Sequence, residues 1–283
     1  MSSIFGGGGG GGDVVGPASS TDNALARFDG TTGKLIQNGV ITQDDTGNLS
    51  VAAAVSAGSL SILVSNTSNT TQATVFIKAM VAGSTADDPY FQAGISGGQF
   101  YSFGLDNSDS DAFVISASQT IGTTNVMRIS TAGEITFPLQ PAFSAFLPSN
   151  DDNVTGDGTG YTLGGTTALT EIYDQNSDFN TNGTFTAPVT GKYMLGTSCL
   201  FQGMGATNQV TIQILTSNRD YTLGNTNGEA SIGNDPAAFS VLADMDVGDT
   251  STAFYIVGNG TKTVDVYGGA ADARSIFWGH LVC

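Results

Sequence analysis

A chain of 283 residues with 39 glycines, 12% charged residues and a net charge of −17 is unlike a cytosolic enzyme, and is long enough for one large domain or two to three small ones. The same charge disfavours nucleic acid as a partner, because phosphate contacts need clusters of Lys and Arg and the chain has 8 in all. No run approaches the roughly 20 apolar residues that span a bilayer, so membrane insertion is not expected.

Apolar residues alternate with Ser and Thr in short runs between Gly, Asn and Asp clusters, so an all-β chain is expected. Met1-Ser2-Ser3-Ile4-Phe5 lacks the basic start of a signal peptide and runs into seven consecutive glycines. A product made and kept in a cytoplasm is the expectation. A glycine run has no preferred conformation and acts as a tether. Residues 1–12 therefore read as an anchor peptide plus hinge, with Ile4 and Phe5 as an apolar plug for a groove on another protein. The competing reading is a disordered tail.

Residues 13–50 read as a shaft. Lys34-Leu35-Ile36-Gln37 and Val40-Ile41-Thr42-Gln43 flank the hairpin dipeptide Asn38-Gly39, and Asp44-Asp45-Thr46-Gly47-Asn48 supplies the next turn. Strands this short bury no core alone and become stable when three copies wrap around a common axis. The run from Asp13-Val14-Val15-Gly16-Pro17 through Ala24-Leu25-Ala26-Arg27-Phe28-Asp29-Gly30 to Thr31-Thr32-Gly33-Lys34 resembles a spacer of tailed-bacteriophage fibres. That resemblance implies a trimeric shaft in a virion fibre.

Residues 51–140 form a second β-rich unit. Its expected strands are 61–65, 74–78, 100–105, 112–116 and 126–130, and 133–138 ends it, with Pro138 and Pro141 as a stiff joint. The segment 103–113, with its Asp106, Asp109 and Asp111, resembles a turn between strands of other phage fibre proteins.

Residues 141–283 form the head. Expected strands lie at 142–147, 171–174, 185–188, 191–201, 210–215, 238–245, 252–257, 263–267 and 275–282, and the intervals 148–168 and 217–236 read as long loops. The ordered set Phe143, Phe179, Phe185, Pro188, Gly191, Tyr193, Gly248-Asp249, Phe277, Gly279 and Leu281 resembles the C1q/TNF-like jelly-roll head. The resemblance implies a β-sandwich that works as a trimer and binds rather than transforms its ligand. No collagen stalk precedes it here, which departs from the family pattern. In a jelly roll the strand of Cys199 neighbours the last strand, but Cys283 ends its strand while Cys199 lies well past the start of its own. Free thiols are expected.

His280 is the sole histidine, so a His-cluster metal site is excluded and catalysis by a Ser-His-Asp triad would depend on a residue set between Trp278-Gly279 and Leu281. Paired acids such as Asp44-Asp45 and Asp87-Asp88 read as turn formers rather than as a glycosidase pair. Calcium is the one candidate ion: hard cations want several turn oxygens, some C1q-like heads carry Ca²⁺, and Asp151, Asp152 and Asp157 sit in the densest oxygen cluster of the head. Candidates for receptor contact are Asp151, Asp152, Tyr161, Tyr221, Asn225 and Asn227, aromatic and polar side chains suited to sugar faces and hydroxyls.

The expectation is a homotrimeric fibre on a virion, attached through its N-terminus to other virion proteins and contacting a host-surface glycan or protein with its head. Placement on the tail or on the capsid stays open. The rivals are a cellular C1q-like lectin or adhesin and, with least support, a polysaccharide-degrading enzyme.

Overall fold

A computed structural model describes residues 24–29, 35–46, 48–51, 62, 64, 65, 67, 74, 76–83, 85–227 and 234–283. Ile4, Phe5 and the glycine run lie outside the described residues. The chain divides into two units, Met1–Ile77 and Lys78–Cys283.

In the first unit β1 (Ala24–Asp29), β2 (Leu35–Gln43) and β3 (Leu49–Val51) form an antiparallel sheet in that order. The expected hairpin at Asn38-Gly39 is not there, because β2 runs straight through the dipeptide. The register jumps from Ala26 opposite Asn38 to Ala24 opposite Thr42, so the extra residues form a bulge. Pairing with β1 along most of β2 and with β3 at its end satisfies the backbone that a turn would have freed. The next turn forms as expected. Asp44 Oδ1 accepts the amides of Thr46 (3.0 Å) and Asn48 (2.8 Å), and Oδ2 accepts the Asn48 side-chain amide at 2.8 Å.

In the second unit β4 (Tyr90–Gly94), β5 (Phe100–Asp106), β6 (Ala112–Ser116), β7 (Asn125–Ile129) and β8 (Ile135–Thr136) form an antiparallel meander in chain order. Strands are expected at 61–65 and 74–78, and the described residues of those spans, Ile62, Val64, Ser65, Thr74 and Phe76 to Lys78, lie outside any strand. The edge strand β4 takes the place beside β5 instead. A tight connection closes that hairpin, with the Ile95 amide donating to Gln99 at 3.0 Å and Gly97 at φ +74. At the β5–β6 turn Asp106 Oδ1 accepts the amides of Ser108 and Asp109, each at 3.1 Å, and Asp109 pairs with Arg128. The acidic cluster 106–111 is thus a turn, as its resemblance implied.

The remaining strands are β9 (Ala142–Phe146), β10 (Asp151–Thr155), β11 (Gly160–Thr162), β12 (Thr170–Asp174), β13 (Phe179–Asn180), β14 (Thr184–Thr186) and β15 (Gly191–Gln202). They continue with β16 (Gln209–Thr216), β17 (Asp220–Asn227), β18 (Asn234–Met245), β19 (Thr250–Gly258), β20 (Val264–Val266) and β21 (Ile276–Leu281). Two sheets result. One has the order β10-β20-β15-β21-β9-β12 with β18 on the other flank of β15, and the second β13-β14-β19-β16-β17 with β11 beside β19. First and last strands of the head lie side by side, which makes the sandwich a jelly roll. The chain is all-β, as expected. Both intervals read as loops contain strands, β10 and β11 in 148–168 and β17 with the start of β18 in 217–236.

Between the sheets sits one aromatic cluster. Phe143 stacks on Phe179 (4.6 Å between centroids) and Phe185 (4.7 Å) and meets Phe277 edge-on at 5.0 Å. Tyr193 packs against Phe185 and donates its hydroxyl to the Val189 carbonyl at 2.8 Å. Gly279 pairs with Phe143 across β21 and β9, where a Cβ would stand 2.8 Å from Phe143 Cε1 and 2.6 Å from Leu195 Cδ2. Gly248 holds φ +88 in the turn before β19, and the Asp249 carboxylate, drawn below its usual pKa first by the Ser217 hydroxyl, gathers that turn. Leu281 packs half-buried against the core, and Pro188 and Gly191 lead into β15. Cys199 is buried and free, while the Cys283 carbonyl accepts the Lys192 amide at 2.7 Å, at the far end of β15.

Two outcomes are expected. Phe143→Ala removes the centre of the cluster and should cost about 3–5 kcal/mol in denaturant unfolding of the second unit; a loss below about 1 kcal/mol would contradict this packing. Hydrogen bonds from Asn48 and Thr46 draw the Asp44 carboxyl from 3.8 to about 2, so the turn keeps its full support above pH 3.8 and loses it as pH falls through about 2. The Asn48 amide resonance should report that midpoint, and Asp44→Ala should abolish the titration.

Candidate functional site

Several residues expected to meet a receptor are structural. Tyr161 and Asp151 are 4% and 3% exposed, and the Tyr161 hydroxyl donates to Asp151 Oδ2 at 2.5 Å. The Thr167 hydroxyl and amide complete the shell of that carboxylate. Burial, then the bond to Asp151, pushes the Tyr161 phenol far above its usual range. Both side chains are therefore unavailable to a sugar. Tyr221 is half-buried against the core, and its hydroxyl accepts the Asp244 amide at 3.4 Å on the exposed side. Asn225 and Asn227 belong to β17, with Asn227 opposite Gln209, but their side chains lie outside the described residues.

The candidate calcium set does not assemble. Among the described residues no three acidic, His or Cys side chains come together as an ion cage. Asp151 is consumed by Tyr161 and Thr167, Asp152 points to solvent as an exposed strand residue, and Asp157 accepts the Thr159 amide at 2.9 Å. That bonding to Thr159 holds the Asp157 carboxyl below the usual range.

The sequence reading missed the feature that stands out on the head, the outer face of its seven-stranded sheet. Strand alternation turns Tyr193, Leu195, Thr197, Cys199 and Phe201 inward, so Met194, Ser198 and Leu200 point out. Register then lines up Leu242, Met194 and His280 in one row, Ser240, Gly196, Trp278, Ser144 and Tyr173 in a second, and Ala238, Ser198, Ile276 and Phe146 in a third. Gly196 lies under the Trp278 indole, where a Cβ would come within 2.1 Å of Cζ2. Trp278 also stacks on His280, 6.4 Å between centroids. Leu242 and Tyr173 are 51% and 50% exposed. Those three rows carry no carboxylate, lysine or arginine; the ion pair Lys192–Asp244 closes one end and Arg274 borders a depression of about 360 Å³ beside Leu200 and Pro236 at the other. The second sheet's outer face is mixed: Gln209, Thr211, Gln213, Thr250 and Thr252 share it with Leu215, Phe254 and Ile256, and the Phe254 ring lies over Gly160. The signal was present as Met194, Trp278 and Leu242 at outward positions, but it needed the register to be assembled.

No family model matches the chain, and no curated protein does. Solved structures do resemble it. The globular domain of zebrafish complement 1qA protein is similar at 16% identity, covering 51% of this chain and 98% of that one with a TM-score of 0.37. Murine APRIL at pH 8.5 is similar at 10% identity, covering 50% and 99% with a TM-score of 0.35. PRD1 vertex protein P5 is similar at 7% identity, covering 59% and 87% with a TM-score of 0.40. Scores this low carry no argument, and the jelly roll rests on the strand order above.

Asp151→Ala should strip both Tyr161 and Thr167 of a buried acceptor and cost about 1–3 kcal/mol of stability. Unfolding titrations of the variant check it, and unchanged stability would return Asp151 to the list of free surface groups.

Proposed function

We propose that the protein is a homotrimeric fibre subunit whose heads meet through the outer face of the seven-stranded sheet. The observation that supports this reading is that face: five adjacent strands, about 24 Å across, whose three charge-free rows run about 17 Å along, or roughly 400 Å². Leu242, Met194, Trp278, Tyr173, Ile276 and Phe146 lie there among small Ser, Ala and Gly residues, and a patch of that size is often functional. On a chain carrying −17, copies approach each other with least repulsion where no charge lies.

The fibre attaches to a virion through residues 1–12 and presents the head to a host-surface molecule, with a glycan as the first candidate. Three weak sites per head and several fibres per particle give avidity without tight single-site binding. The work is recognition rather than catalysis, and the outer face of the second sheet, where Phe254 and Ile256 lie beside Thr and Gln side chains, remains for the receptor with the strand ends around it.

Native mass, with an SDS gel run before and after heating, tests the assembly. The expected species is three times 28.8 kDa and resists SDS until heated. Leu242→Glu, which sets a carboxylate on each seam opposite Met194, should shift the mass to that of one chain. A wild-type chain that sediments as a single copy would overturn the reading.

A further inference from the structure

The five-stranded meander has an inverted pattern. Its covered face buries only small groups, with Ala112, Val114 and Ile121 as its core. The segment 117–124 lies over that side, where the Ser102 hydroxyl donates to the Ser118 carbonyl at 2.9 Å and the Gln92 amide to the Gln119 carbonyl at 2.9 Å. Tyr90 and Phe100 apart, the large apolar side chains are on the other face. Phe91 stands opposite Phe103, Phe103 opposite Ile115 and Ile115 opposite Met127, while Phe113 stands opposite Ile129 on the same side. The Phe91 and Phe103 rings stack at 5.6 Å and remain 40% and 42% exposed. A sheet normally buries its larger residues, and so small a covered core gives little hydrophobic stabilisation.

We propose that this face is a second self-association surface, at which the meanders of three copies bury their large apolar side chains against one another. The proposal rests on the homotrimer argued above. The face spans about 24 Å by 17 Å, roughly 400 Å², and none of the paired residues named on it is charged. The opposite face, by contrast, carries Arg128 paired with Asp109.

Continuity with the head favours copies of this chain over a foreign partner. The link between the meander and β9 is clamped: Gln175 Nε2 donates to the carbonyls of Phe137 and Gln140, each at 2.7 Å, and Asn176 Nδ2 to that of Leu139 at 2.8 Å. Gln140 Nε2 in turn donates to the Leu281 carbonyl at 3.1 Å. The strand so entered carries Ser144 and Phe146 on the head's apolar face, so heads that meet there bring three clamped meanders together.

Cross-linking of the full chain through one accessible cysteine tests it, in a Cys283→Ala background that keeps the buried Cys199, with Ile115→Cys on the open face and Thr136→Cys on the other. Met127→Cys serves if the first variant folds poorly. Mild oxidation should join Ile115→Cys chains into covalent dimers roughly a hundredfold faster than Thr136→Cys chains, because assembly raises the local thiol concentration toward millimolar. A particle of three times 28.8 kDa in which neither open-face variant cross-links would overturn this inference and leave the head-mediated trimer standing. A native mass of one chain would overturn both, and protection of the open face by a different co-purifying partner would overturn this one.

Discussion

The stack of Phe143 on Phe179 and Phe185 is the contact on which the head depends. Phe143 lies on the first strand of the head, Phe277 on the last, and Phe179 and Phe185 on the short strands that begin the second sheet. One cluster of rings therefore closes the chain on itself and fixes the spacing of the two sheets. Gly279 fits there because the Leu195 methyl and the Phe143 ring occupy the space of a Cβ. Once the inner positions of β15 and β21 are fixed, strand alternation leaves no freedom about which residues face outward. The apolar outer face is a consequence of the same register that builds the core.

That dependence explains what could be read from the chain. Phe143, Phe179, Phe185, Tyr193, Phe277 and Gly279 were legible as a set because each keeps a distinctive residue type at a fixed place in the order. Turns built by one local side chain were legible for the same reason: Asp44 and Asp106 bond only to residues within a few positions. Tyr161 and Asp151 misled because an aromatic and an acid between glycines look like a surface loop. Their partnership across ten residues removes both from solvent. Asn38-Gly39 misled in the opposite direction, since a strong turn signal was overruled by pairing on the flanking strands. The edge strands β4 and β17 went unseen, although Ser96-Gly97-Gly98 between two aromatic runs was a usable hairpin signal for the first.

The functional reading follows from surfaces rather than from a catalytic centre. One sheet of the head turns a mixture of Thr, Gln, Phe254 and Ile256 outward, the other turns Met194, Trp278, Phe146 and Leu242 outward among small residues without an acid or a base, and the meander carries an uncharged row of its own. In a chain this acidic, uncharged faces are where copies can come together and the charged, polar remainder keeps the assembly in solution. The proposed trimer would set three copies of each remaining surface side by side, which is how a weak binder becomes an effective one.

The chain carries a single tryptophan, Trp278, and it stands in the middle row of the outer face. Quenching of its fluorescence by iodide tests the central claim directly. The account predicts an emission shifted to the blue and an indole shielded from iodide at working concentration, with quenching appearing only when heat or denaturant separates the copies. An indole that iodide reaches freely in the native protein would contradict it.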